Sequence, residues 1–193
     1  MILIGVTGMP GSGKSVAARR IASILGWPVV SMGDIVRQEV VRRGFKLNSP
    51  NIEMVARVLR EELGEEAVAV LLIRELERMN IGQEGLVVDG MRSLAEAKTL
   101  SKLGRICIVA VHASPRARYE RIIKRSRKGD AVSWNQFVER DMNNLRLGIG
   151  SLIALADYMI VNEGSIEELL AQADRVANTV RSGEGAGCSG GRY

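Results

Sequence analysis

The chain has 193 residues, 46% of them hydrophobic, and a net charge of +5; this suits one α/β domain with a sizeable core and excludes a disordered or low-complexity chain. Aromatic residues make up only 4%, so the core is expected to be aliphatic. No apolar run approaches the ~20 residues that span a bilayer. The N-terminal apolar run has no basic segment ahead of Ile2, so it reads as a strand rather than a leader, which points to the cytoplasm with no membrane partner.

Met1 to Thr7 (MILIGVT) is the first expected strand, an aliphatic run of the kind buried on both faces. Gly8-Met9-Pro10-Gly11-Ser12-Gly13-Lys14-Ser15 follows and matches G-x-x-x-x-G-K-[ST] at every fixed position. Helical spacing then runs from Ser15 to Leu25. Strand, glycine loop and helix form a phosphate cradle: glycines let backbone N–H groups converge on one anion, and the helix N-terminus adds positive potential. Lys14 reaches the β/γ-phosphates in such a loop, and the Ser15 hydroxyl ligates Mg²⁺.

Pro28 to Met32 reads as strand two and Asp34 to Arg43 as a helix. Ser49-Pro50 opens a helical stretch to about Met79, broken near Gly64. Leu86 to Asp89 is strand three, with a helix over about Leu94 to Leu103, and Ile106 to Val111 is strand four. Ser114-Pro115 opens the next helix, and Ser133 with Gln136 forms a capping box before another. Tyr158 to Val161 is strand five, and Ser165 with Glu168 caps the last helix, to about Arg181. Ser182 to Tyr193 has five glycines in twelve residues and reads as a flexible tail. The two cysteines, Cys107 in strand four and Cys188 in the tail, have no metal or redox spacing and read as a buried thiol and a tail thiol.

This alternation implies a parallel sheet with helices on both faces, and such sheets bind ligands at the carboxyl ends of their strands. The residues just beyond each strand therefore matter most. They are the glycine loop; Ser31 to Arg37; Asp89-Gly90-Met91-Arg92; His112 with the helix bearing Arg118, Arg121 and Arg125; and Asn162. From Ser114 to Arg146 there are nine Arg or Lys against four Asp or Glu, so this stretch holds the whole positive excess. A basic patch beside a phosphate loop suits a small polyanion, and RNA or a protein partner is the alternative class. His112, Trp27 and Trp134 read most simply as packing residues.

Taken together, S-x-G-D-x-x-R (Ser31, Gly33, Asp34, Arg37), D-G-x-R (Asp89, Gly90, Arg92) and R-x-x-x-R (Arg121, Arg125) resemble the nucleoside monophosphate kinases, adenylate kinase in particular. Ala156 to Leu169 resembles the last strand and helix of that family and of dephospho-CoA kinase. Over about residues 1–181 the chain is similar to an archaeal adenylate-kinase-related group. The resemblance implies a P-loop NTPase three-layer sandwich with a five-stranded parallel sheet and a short lid. It implies acceptor-binding helices at about 35–79 and a lid at about 125–147. It implies ATP and Mg²⁺ as cofactors, with Gly8, Met9, Pro10, Gly11, Ser12, Gly13, Lys14, Ser15 and Asn162 around the donor. It gives Lys14, Arg121, Arg125 and Asp89 catalytic roles, Ser15 and Asp89 the metal, and Asp34, Arg37 and Arg92 the acceptor; Arg140 is a further lid candidate. The activity implied is transfer of the ATP γ-phosphoryl group to a nucleoside monophosphate. Two alternatives stand beside it: a dephospho-CoA kinase with Asp34 as base, and an adenylate-kinase-like ATPase acting with RNA or a protein. The chain departs from adenylate kinases in having Met91 where proline is common.

Overall fold

The computed structural model describes residues 1–79, 84–125, 133–183 and 188. Five strands form one parallel sheet in the order β2-β3-β1-β4-β5: β1 (Ile2–Thr7), β2 (Val29–Ser31), β3 (Gly85–Met91), β4 (Arg105–His112) and β5 (Tyr158–Val161). Nine helices accompany them among the described residues: α1 (Lys14–Leu25), α2 (Met32–Arg42), α3 (Ser49–Leu63), α4 (Ala67–Met79), α5 (Leu94–Leu100), α6 (Pro115–Arg125), α7 (Trp134–Arg146), α8 (Ile149–Ala154) and α9 (Ile166–Arg181).

The central strands follow a period of two, and successive side chains point to opposite faces. Ile4, Val6, Val87, Cys107, Val109 and Val111 face α1 and α9, where Ala18, Ile21, Leu169 and Ala173 complete one core. Leu3, Leu86, Val88, Ile106 and Ile108 face the other way, onto Met32, Leu72, Leu100 and Leu152. Each such Leu, Ile or Val is worth about 1.5–3 kcal/mol when removed from water. Truncating Ile4, which is fully buried at the sheet centre, is expected to cost about 2–5 kcal/mol. Both faces are thus covered, giving the α/β three-layer arrangement that the strand–helix alternation predicts.

The differences from the sequence reading have local causes. Strand three extends to Met91 because the register with β1 skips Gly90, pairing Val6 with Asp89 and Thr7 with Met91; the Thr7 hydroxyl donates to the Met91 carbonyl at 2.8 Å. The second helix starts at Met32, directly after Ser31. The helix expected from Leu94 to Leu103 ends at Leu100 and tightens into a 3₁₀ turn over Ser101–Leu103.

The cysteine reading is corrected. Cys107 and Cys188 form a disulfide across 81 residues of sequence, and Cys188 is buried in the α1/α9 core. Part of the expected flexible tail is therefore anchored on β4. The remaining tail residues, 184–187 and 189–193, lie outside the described residues, as do 126–132 of the expected lid.

Candidate functional site at the strand ends

The glycine loop connects β1 to α1 at the carboxyl end of the sheet. Helix α1 starts with Gly13 at its cap, no side-chain cap and no acid in its first turn. Its first backbone N–H groups and the positive end of its dipole are left for an outside anion. Two buried side chains brace the loop from behind. Asn162 Nδ2 donates to the Ser12 carbonyl at 2.8 Å, and Arg118 Nη1 donates to the Pro10 carbonyl at 3.1 Å. These braces account for two of the glycines. Gly13 has φ +96°, and a Cβ there would collide with Asn162 Nδ2; Gly11 has φ +82°, and a Cβ there would stand 2.7 Å from the Arg118 carbonyl oxygen.

Lys14 begins α1 and is partly buried, within electrostatic reach of Arg92, Arg125 and Arg140. Its pKa is pushed down to about 8, chiefly by desolvation; Asp89 works against this, while Arg92, Arg140 and Arg125 add repulsion. A lysine so placed is short of negative charge, the condition that an incoming phosphate relieves. Asp89 stands near the end of β3, its backbone paired with Val6 and Ser31. Asp89 Oδ1 is buried without a hydrogen-bond partner among the described residues, as are Ser12 Oγ and Arg121 Nη1. A buried carboxylate oxygen and a buried guanidinium nitrogen without partners fit a hydrated divalent cation and a phosphate, respectively.

Beside the loop lies a cavity of about 900 Å³ between α2, α3, the end of β3 and α7. Met32, Val36, Ile52 and Met54 form an apolar side. Seven arginines line it too, Arg37, Arg92, Arg125 and Arg140 among them, together with four glutamates. Desolvation pushes the Arg92 pKa down, Glu96 pulls it up, and Arg60 and Arg140 repel it. Glu96 is buried in the same wall, its pKa raised by desolvation. Glu96 Oε2 accepts the Arg92 backbone N–H at 2.7 Å and Oε1 lies 3.4 Å from Arg60 Nη2, which fixes the chain where Arg92 leaves the sheet.

The site residues expected from sequence therefore divide. Gly8 to Ser15 and Asp89 come together at the loop, and Arg37, Arg92 and Arg125 share the cavity wall. Arg37 is engaged from within its own helix: Nε and Nη2 donate to Asp34 Oδ1 at 2.9 and 2.5 Å. Asp34 is 60% exposed and absent from the cavity wall. Asn162 Nδ2 donates to the Ser12 carbonyl, which places this residue directly behind the loop. Arg121 lies on α6 with Arg118 and Arg125, four residues ahead of Arg125 and close enough to Glu163 to lower its pKa.

Asp141, Arg60 and Glu96 escaped the sequence reading as site residues, and Arg118, placed at the strand ends, was given no role. Glu96 had a signal, since Ser93-x-x-Glu96 is a third capping box, with the Ser93 hydroxyl accepting the Glu96 N–H at 3.2 Å. The others had none, because in arginine-rich helices the sequence does not say which arginine turns inward.

Among the described residues no helix is long and apolar enough to cross a membrane. Residues 7–137 match the family described as AAA domain. The UPF0200 protein of Hyperthermus butylicus is 49% identical over 185 residues, 95% of this chain and 97% of the relative. The UPF0200 protein MJ1399 of Methanocaldococcus jannaschii is 44% identical over 180 residues, 93% of this chain and 91% of the relative. Among solved structures, TT1252 from Thermus thermophilus is similar with a TM-score of 0.60 and 23% identity, covering 94% of this chain and 97% of that one. Shikimate kinase from Acinetobacter baumannii, solved in complex with shikimate, is similar with a TM-score of 0.57 and 15% identity, covering 94% of each chain. At these identities the two structures speak for the fold alone, and that fold is the P-loop kinase-like one. With its glycine loop, parallel sheet and near full-length relatives, the chain belongs to the UPF0200 family and has a P-loop kinase-like fold.

Proposed function

We propose that this protein is an ATP-dependent nucleotide kinase that moves the γ-phosphoryl group of ATP to a nucleoside monophosphate. The observation that carries the reading is the surroundings of Lys14: the loop lysine sits among Arg92, Arg125 and Arg140, and those three arginines line the adjoining cavity. Cations converge on the line between a phosphate loop and a second chamber, where a donor and an acceptor phosphate would meet.

In this reading the loop amides and Lys14 hold the donor phosphates, and Ser15 and Asp89 hold Mg²⁺. The cation, when bound, neutralises charge on the donor phosphates. Arg92 grips the acceptor phosphate, and Arg125, Arg140 and Arg121 spread the charge that builds on the transferring group. The bond between the γ-phosphorus and the β,γ-bridging oxygen breaks, and an acceptor phosphate oxygen bonds to that phosphorus. ADP and a nucleoside diphosphate leave. The acceptor oxygen is already ionised at neutral pH, so no proton needs to be removed. Positioning and charge neutralisation supply the rate. Residues 35–79 serve as the acceptor-binding region, and about 125–147 as a lid that excludes water. The pairing of Asp34 with Arg37, at 2.9 and 2.5 Å, favours a phosphate acceptor over the hydroxyl acceptor of a dephospho-CoA kinase, for which Asp34 would have to serve as base.

The test is ATP-to-ADP conversion with Mg²⁺ against AMP, CMP, UMP, GMP, dTMP and dephospho-CoA, each beside an acceptor-free control. Strong stimulation by a monophosphate is expected. Stimulation by dephospho-CoA alone would replace the acceptor, and equal slow hydrolysis in every assay would replace the kinase with an ATPase.

A further inference from the structure

Arg118 lies outside the proposed catalytic set, and its side chain is only 4% exposed. Nε donates to the Ala113 carbonyl at 3.0 Å, at the exit of β4. Nη1 donates to the Pro10 carbonyl of the phosphate loop at 3.1 Å. Nη1 and Nη2 donate to Asp141 Oδ1 and Oδ2 of α7, at 2.9 and 2.5 Å. The guanidinium carbon lies 4.9 Å from the centre of the Phe137 ring, also on α7. One side chain thereby ties the sheet, the donor loop and α7 together.

Helix α8, anchored on the sheet by the buried Leu152, holds the C-terminal end of α7 through Leu147 and Gly148, and Arg118 grips the middle of α7. The buried Phe137 of α7 belongs to a small cluster with Ile122 and Tyr119, separate from the two large cores. Rings at 5.1–5.5 Å join Tyr119, Trp134 and Phe137, but Tyr119 and Ile122 are themselves on α6. What α7 carries matters for the site: Arg140 precedes Asp141 in the chain, lines the cavity, and is close enough to repel both Lys14 and Arg92. A bidentate arginine–carboxylate pair fixes both distance and direction, which a packing contact of equal volume does not. Buried ion pairs are also poor at stabilising a fold for its own sake, since apolar pairs of similar volume do as well or better.

We infer that Arg118 and Asp141 are a positioning pair that registers α7, and with it Arg140, against the donor phosphate loop. The inference rests on the reading of the loop as the ATP site and goes beyond it: neither residue touches substrate, yet the pair sets how far the acceptor-side guanidinium stands from the donor. A nucleotide that tightens the loop at Pro10 thereby also steadies α7.

Hydrogen exchange with a nonhydrolysable ATP analogue and Mg²⁺ tests this without relying on turnover. In the parent protein the analogue is expected to slow exchange of amides in 8–17 and, together with them, of amides in 134–146, by about threefold or more. Asp141→Asn should keep the protection at the loop and lose it on α7. Because that variant leaves a buried guanidinium unpaired and could fold poorly, the double variant Arg118→Met with Asp141→Leu is made beside it. Apolar replacement is expected to keep the melting temperature near the parent's while kcat with the best acceptor falls about tenfold or more and the Kd for the ATP analogue moves about threefold or less. A double variant with parental kcat, or α7 protection that survives Asp141→Asn, would overturn the pair's positioning role and leave it a structural contact. Loop amides that the analogue fails to protect in the parent would instead strike down the reading of the donor site, and the inference with it.

Discussion

The donor side and the acceptor side of this site are built from different materials. The donor loop is backbone: its shape comes from glycines with positive φ, its anchorage from β1, buried from Leu3 to Thr7, and its braces, Asn162 and Arg118, grip carbonyl oxygens. The acceptor cavity is side chain: arginines and glutamates on α2, α3 and α7 whose directions are set by neighbouring ions, such as Asp34 on Arg37 and Glu96 on the Arg92 amide. A backbone cradle suits a phosphate chain common to every turnover. A side-chain wall can be retuned to a new acceptor without disturbing the sheet. Substitutions on the donor side should therefore abolish chemistry, and those on the acceptor side should shift affinity and selectivity.

Lys14→Ala is expected to show the largest effect, a loss of about 10³-fold in kcat, measured in the ATP-to-ADP assay. Retained parental activity would break the contrast at its strongest point. Cys188→Ser removes the disulfide on β4 and should lower stability by about 2–4 kcal/mol while leaving kcat unchanged, because Cys107 lies opposite Ile4, well before the strand end that carries the loop. Denaturant unfolding with and without reductant measures the first quantity, and turnover the second. Arg92→Lys, which replaces a forked cation with a point charge, is expected to raise the acceptor KM about tenfold to a hundredfold with a smaller change in the KM for ATP. An equal rise in both would merge the two sides.

The pH dependence separates them further. Lys14 has a pKa of about 8 in the nucleotide-free protein, and phosphates bind its charged form. Below that pH the lysine is already protonated and contributes no slope. Above it a proton must be taken up on binding, so affinity for ATP should fall about tenfold per pH unit until the lysine's ordinary range is reached. Calorimetric titration between pH 7 and 9.5, with Lys14→Met as control, reads this; a slope that survives in the control would assign it elsewhere. The smallest effect is expected at Arg20, whose pair with Asp174 at 2.6 Å joins α1 to α9 at the surface. Arg20→Ala should barely move the thermal unfolding midpoint, since a surface ion pair contributes little, and should leave turnover unchanged.

The same division decides what could be read from sequence. The loop, the strands and the layering were legible because each is written in contiguous residues: an aliphatic run, a glycine pattern, a capping serine. Even the break between α3 and α4 follows from Gly64. The extra reach of β3 was not, since it depends on skipping Gly90 in the register with a strand far away in sequence. The arrangement around α7 was less legible still. Arg118, Arg121 and Arg125 share one helix, and their residue type alone does not say that Arg118 turns inward to Pro10 and Asp141. The bond from Asn162 to the Ser12 carbonyl is equally invisible in sequence, because it joins residues 150 apart. The Cys107–Cys188 pairing was hidden because a glycine-rich tail carries no pattern that says where it docks.

The most direct test of the account is to follow the γ-phosphate of ATP itself. With γ-labelled ATP, Mg²⁺ and each nucleoside monophosphate in turn, the account predicts label in a nucleoside diphosphate of the preferred acceptor, formed in step with ADP and lost in Lys14→Ala. Label released only as inorganic phosphate, with or without acceptor, would contradict it.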